Sequence, residues 1–150
     1  VAAGAALDDG GMTAQEEAAI VVGVDGSECG TKALRWAEEY ARLRGVSLLL
    51  VTAWQWPTSY GTPLTSVGFD PEGDAKRTVE DALSTVTLPP GQVRTLVKQG
   101  HAGSVLVHAA AGALLLVVGT RGHGAFAGAL LGSTGNYCVH HASGPVTIVR

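Results

Sequence analysis

The sequence predicts an α/β fold with a parallel sheet, and three observations lead there. Short apolar runs, Ile20-Val21-Val22-Gly23-Val24 first among them, alternate with segments whose apolar residues fall at helical spacing. The runs are continuous rather than alternating, which marks strands buried on both faces between helix layers. Strand and helix patterns also interleave along the chain instead of segregating, as successive β–α–β units do.

Residues 20–24 form the first predicted strand, and Asp25-Gly26-Ser27 turns it into a helix. Ser27 is placed to cap that helix, with Glu28 near the positive end of its dipole. The helix runs to about Arg44, with Ala33, Leu34, Ala37, Tyr40 and Ala41 on one stripe, and Gly45 stops it. Residues 46–53 are the second strand. The stretch 54–71 holds three prolines, two glycines, two tryptophans and a tyrosine. It is longer than most connections and reads as either a functional flap or a locally disordered segment. Ala75, Val79, Ala82, Leu83 and Val86 place a second helix over 72–86, ended by Pro89-Pro90-Gly91. A third strand covers 93–98 and is turned by Gly100. Val105, Leu106, Ala109 and Ala110 give a third helix closed by Gly112, and 114–118 is the fourth strand. A short helix over 135–141 and a fifth strand over 146–149 complete the series.

At 150 residues the chain suits one domain with a sizeable core, expected over 19–150. Its 46% hydrophobic and 15% charged content excludes disorder throughout. A net charge of −3 argues against nucleic acid or an acidic membrane as partner. No apolar run reaches the roughly 18–20 residues of a membrane helix. Residues 1–18 lack a basic start and an apolar signal core, and the only methionine is Met12. They are expected to be a flexible tail or to include residues foreign to the native chain. Cys29 and Cys138 fit no metal or redox spacing and read as core or helix residues of a reduced, cytoplasmic protein. His140 and His141 are adjacent, and His101 and His108 lack a third ligand, so no metal site is expected.

The chemistry concentrates in Gly119-Thr120-Arg121-Gly122, nine further residues, and Gly132-Ser133-Thr134. Glycines at a strand end let backbone N–H groups approach an oxyanion, and hydroxyls at a helix start add donors. A Walker-type loop is excluded, because Gly132 stands where that motif needs lysine. The dinucleotide fingerprint also fails: after Gly122 and Gly124 the next glycine is Gly128, one residue late. A plain surface loop is the competing reading. If strands one and four are neighbours, as in the order 3-2-1-4-5, Asp25-Gly26-Ser27 and the glycine loop face one crevice.

These residues resemble the universal stress protein family over nearly the whole chain from Ile20. Gly119, Gly122, Gly132 and Ser133 match its Gly-x2-Gly-x9-Gly-Ser/Thr pattern, residues 22–27 are similar to its first strand and Asp, and residues 140–146 to its run into the last strand. Leu114 and Ala102 stand where members often carry Asp and Pro. The resemblance implies a Rossmann-like, adenine nucleotide alpha hydrolase-like fold: five parallel strands in order 3-2-1-4-5 with helices on both faces. It implies ATP binding, with Mg²⁺ held by the phosphates, in a nucleotide-dependent regulatory protein of the stress response. A homodimer through Val146 to Val149 follows as well, since an apolar edge strand is otherwise left open.

Asp25 is then expected to accept hydrogen bonds from ribose or adenine, or else merely to turn the strand into a capped helix. Ala53 is placed by the resemblance against the adenine ring, or is plain core. Gly119, Gly122, Gly132, Ser133 and Thr134 are expected on ribose and phosphates. Arg121 and His123 add charge near the phosphates, or are solvated loop residues. No nucleophile with its base is recognisable, so catalytic residues are not expected beyond weak ATP hydrolysis. A weak hydrolase or phosphotransferase, and a module for AMP or cyclic AMP, stay open as alternatives, and the regulatory protein partner is unknown.

Overall fold

Five parallel strands build the sheet: β1 (Ile20–Gly23), β2 (Leu48–Trp54), β3 (Val93–Gln99), β4 (Leu115–Gly119) and β5 (Val146–Val149), in the order β3-β2-β1-β4-β5. The computed structural model describes residues 19–59, 62–63, 67–123 and 130–150. The tail expected over 1–18 lies outside them. Ile20 sits opposite Leu48 on one side and Leu115 on the other, and Leu116 opposite Val146. The strand order is the expected 3-2-1-4-5. Within the stretch expected to be irregular, Thr58–Ser59 and Thr62–Pro63 pair as a short antiparallel ladder.

Side chains alternate between the two sheet faces with period two, and both faces are covered. Ile20, Val22, Leu48, Leu50 and Val117 pack against α1 (Glu28–Arg44) and α2 (Pro71–Thr85) through Ala33, Leu34, Ala37, Ala41 and Val79. Val21, Leu49, Val51, Leu116 and Val118 face the opposite way. They meet Val105 and Leu106 of α3 (Ala102–Ala109) and Cys138 of α4 (Ser133–His141). Double coverage is the reason the strands read as unbroken apolar runs.

Local signals fix the helix ends. The Ser27 hydroxyl accepts from the Gly30 amide at 3.0 Å, and Gly45 closes α1 at φ 64°, a conformation glycine adopts without strain. Helix α2 starts at Pro71, one residue before the expected 72. Proline suits the first helical position, and Asp70 caps it by accepting from the Gly73 amide at 2.9 Å. Helix α4 starts at Ser133 rather than 135, which makes Gly132 its N-cap. The two hydroxyl residues are thus its first turn rather than a lead-in.

A polar link ties α1 to the connection after α2. Glu38 Oε1 accepts from the Thr87 hydroxyl at 2.6 Å, the Thr87 amide at 2.7 Å and Arg42 Nη2 at 2.9 Å. Burial pushes the Glu38 carboxyl up, but the Thr87 donors and the Arg42 guanidinium outweigh it and hold it below its ordinary value. Among the described residues Cys138 has no such partners, and burial pushes its thiol up to about 11. Among the described residues, no helix is long and apolar enough to cross a membrane.

Candidate functional site

The carboxyl ends of β1, β2 and β4 open onto a cleft of about 650 Å³, within the range of small-molecule sites. From β1 the chain crosses to β2 on one side, while β4 lies on the other, so the loops diverge and leave a crevice between them. Asp25 and Gly132, from the loops after β1 and β4, line the same cleft. Ala53, Gly119, Arg121, Gly122, His123, Ser133 and Thr134 line it too, so the fold brings all nine candidate positions together.

The two loops interlock. Asp25 Oδ1 accepts from the Ser27 amide at 3.0 Å and the Ser27 hydroxyl at 2.6 Å, so the carboxylate shapes the turn into α1. A Cβ on Gly122 would collide with Asp25 Oδ2. Glycine at 122 therefore makes room for the Asp25 carboxylate. Asp25 performs its turn role and still lines the cleft, exposed, so the two sequence readings do not compete. The Thr52 hydroxyl, buried in β2, donates to the Val24 carbonyl at 2.8 Å and pins the end of β1 beside β2.

Gly119 has a packing reason of its own. A Cβ there would stand 2.7 Å from the Cys29 carbonyl carbon and 2.8 Å from its oxygen. The glycine lets the end of β4 lie directly on the first turn of α1. His123 spans the gap from the other side: a Cβ on Gly26 would lie 3.7 Å from both His123 Nε2 and Thr78 Cγ2. Gly26 is itself at φ 77°, where a side chain is strained.

Helix α4 differs from the other three at its N-terminus. Ser27 caps α1, Asp70 caps α2, and His101 caps α3 by accepting from the Ser104 amide through Nδ1 at 3.4 Å. Among the described residues no side chain caps α4. The Gly132 amide donates to the Thr120 carbonyl at 2.7 Å, folding the loop back on the strand end, so this amide is committed to structure. The helix bonds start with the Asn136 amide to the Gly132 carbonyl at 2.9 Å. The amides of Ser133, Thr134 and Gly135 are the ones an α-helix cannot satisfy within itself, and all three residues line the cleft. They concentrate partial positive charge where an anion gains most.

The far wall was not predicted. Trp54, Phe69, Asp74 and Thr78 complete the cleft from the end of β2, the segment before α2 and the first turns of α2. The aromatic and proline content of 54–71 was the available signal, but it carried no direction. Among the described residues, no three His, Cys, Asp or Glu side chains gather to hold a metal ion.

The profile of the universal stress protein family matches residues 18–150. A universal stress protein of Mycolicibacterium smegmatis is 34% identical over 144 residues, covering 89% of this chain and 48% of its own length. The chain thus spans about half the length of the curated relatives it matches. A solved universal stress protein in complex with cAMP is similar at TM-score 0.64 and 27% identity, over 89% of this chain and 97% of its own. Another, from Archaeoglobus fulgidus in complex with dAMP, is similar at TM-score 0.60 and 25% identity, over 89% and 98%.

Proposed function

The chain belongs to the universal stress protein family, and from that premise we propose that its cleft binds an adenine nucleotide, ATP, as a regulatory ligand. One observation carries the reading: the first turn of α4, with no side-chain cap among the described residues, lines the cleft beside the Gly119–Gly122 loop. Two solved relatives hold cAMP and dAMP, which supports an adenine nucleotide here. Phosphate oxygens accept from the Ser133, Thr134 and Gly135 amides and the two hydroxyls, and Arg121 and His123 add donors along the outer phosphates. Asp25 Oδ2 accepts from a ribose hydroxyl, while Oδ1 keeps its bonds to Ser27. Gly119 and Gly132 act through backbone shape, and Ala53 offers the base a flat apolar contact. Mg²⁺ rides on the phosphates and neutralises their charge.

Equilibrium dialysis with ATP tests this. The wild type should bind, and Asp25→Ala should lose about ten- to 150-fold, the value of one charged hydrogen bond. Equal affinities for the wild type, Asp25→Ala and Gly122→Ala would remove the cleft as the site. The monophosphate reading rests on the same two relatives, and competition separates it, since AMP or cAMP leaves the outer donors idle. If AMP displaces ATP at equal concentration, the triphosphate assignment fails. Sustained, Mg²⁺-dependent turnover abolished by Gly122→Ala would instead make the chain a hydrolase.

The bound nucleotide is proposed to alter contacts with a second copy. Strand β5 pairs with β4 on one side only among the described residues, and all four of its residues are half-buried. An edge of Val, Ile and Val invites a matching strand. Sedimentation at micromolar concentration should give a dimer, and a monomeric mass would refute this.

A further inference from the structure

We infer that Trp54 and Phe69, braced by Trp56, form a stacking platform at the β2 end of the cleft that selects purine over pyrimidine nucleotides. The inference rests on the nucleotide reading above. It adds the residues that recognise the base and the class of base they accept.

The aromatic rings and the glycine loop stand at opposite ends of the cleft, although Asp74 and Thr78 also line the aromatic side. The β4 side carries the glycine loop and the open turn of α4, and the β2 side carries Trp54 and Phe69. Two strand spacings separate the two sides, about 10 Å, the scale of a nucleoside. With the phosphates on the β4 side, the base is left against the rings.

The rings are held rather than loose. Trp56 stands edge-on between the other two, its centroid 6.3 Å from Trp54 at 82° and 6.0 Å from Phe69 at 64°. Such edge-to-face pairs are favoured by the ring quadrupoles. Trp56 does not line the cleft itself, so its role is to brace the two that do. Phe69 remains 40% exposed although it packs against Trp56 and precedes the Asp70 cap. A half-covered phenyl ring lining the cleft leaves apolar area that a planar ligand removes from water. Stacking gains with the area of the base, so a two-ring purine profits more than a pyrimidine. Stacking alone does not separate adenine from guanine, so the platform sets ring size only.

The test measures dissociation constants for ATP, UTP and inorganic tripolyphosphate by equilibrium dialysis, on the wild type, Phe69→Ala and Phe69→Tyr. The wild type should prefer ATP to UTP. Phe69→Ala should weaken ATP binding about tenfold or more and lose that preference, while tripolyphosphate binding stays within about twofold. Phe69→Tyr, which keeps the ring, should restore both. In a Trp36→Phe background, which removes the distant tryptophan of α1, ATP but not tripolyphosphate should quench the remaining emission. Unchanged ATP affinity in Phe69→Ala, or equal losses for ATP and tripolyphosphate, overturns the platform and leaves nucleotide binding standing. A wild type that binds none of the three ligands overturns both.

Discussion

Alanine at position 122 should change the sign of its effect with the residue at position 25. The Cβ of alanine would collide with Asp25 Oδ2, and beyond the adjoining residues the only other described heavy atom within 4 Å is Asp25 Cγ at 3.6 Å. The Gly122 backbone is not left-handed, so alanine brings no strain of its own. In the wild type the carboxylate must swing aside and give up its bonds from the Ser27 amide and hydroxyl, at 3.0 and 2.6 Å. Hydrogen bonds to charged groups contribute about 1.5–3 kcal/mol each, and exposure brings this exposed pair to about 2 kcal/mol together. Alanine recovers about 0.4–1 kcal/mol by narrowing the unfolded ensemble. Gly122→Ala should therefore destabilise by about 1–1.5 kcal/mol. In an Asp25→Ala background the obstacle is gone, and the same change should stabilise by about 0.4–1 kcal/mol. The coupling of about 2 kcal/mol far exceeds the roughly 0.3–0.5 kcal/mol scatter of independent sites. Urea unfolding of the four proteins, followed by far-ultraviolet circular dichroism at pH 7, closes the cycle. Additivity within about 0.5 kcal/mol would refute the interlocking of the two loops.

Three further outcomes follow from named contacts. Gly119→Ala drives a Cβ into the Cys29 backbone, which cannot rotate away, and should cost about 1–3 kcal/mol in urea unfolding. Glu38→Gln should cost about 1–2 kcal/mol at pH 7. Because the folded Glu38 carboxyl lies below its ordinary value, its stabilisation is present above the unfolded value of about 4.3 and is lost as pH falls through the folded one. Urea midpoints of wild type and Glu38→Gln should therefore converge at acid pH, and a constant gap would contradict the network. Cys138, buried and with its thiol pushed up to about 11, should resist a thiol reagent at pH 7.5 until the protein is unfolded. Labelling at the same rate in native and unfolded protein would disprove its burial.

Much of the fold was legible because the signals are local. The runs at 20–24 and 114–118 had to be buried on both faces, and Ser27 and Gly45 announced their helix ends in their own chemistry. The Gly119 to Ser133 spacing was visible too. Its meaning was only half visible, because three of its glycines do different jobs. Gly119 accommodates Cys29, Gly122 accommodates Asp25, and Gly132 commits its amide to Thr120. Each partner is remote along the chain or across a loop, and no periodicity encodes it. The far wall of the cleft escaped for the same reason. Trp54 and Phe69 could be recognised as unusual, but not as facing the glycine loop.

The sequence by itself determined the layered architecture, the helix ends and a set of residues suited to an anion. Hydrophobic period, capping and turn chemistry act within a few residues, so the linear order contains them. Only the tertiary structure decided that these residues share one cleft, that the open turn of α4 lines it, and that aromatic rings stand opposite. Those facts depend on the strand order, which places β1 between β2 and β4 and carries distant loops to the same edge of the sheet.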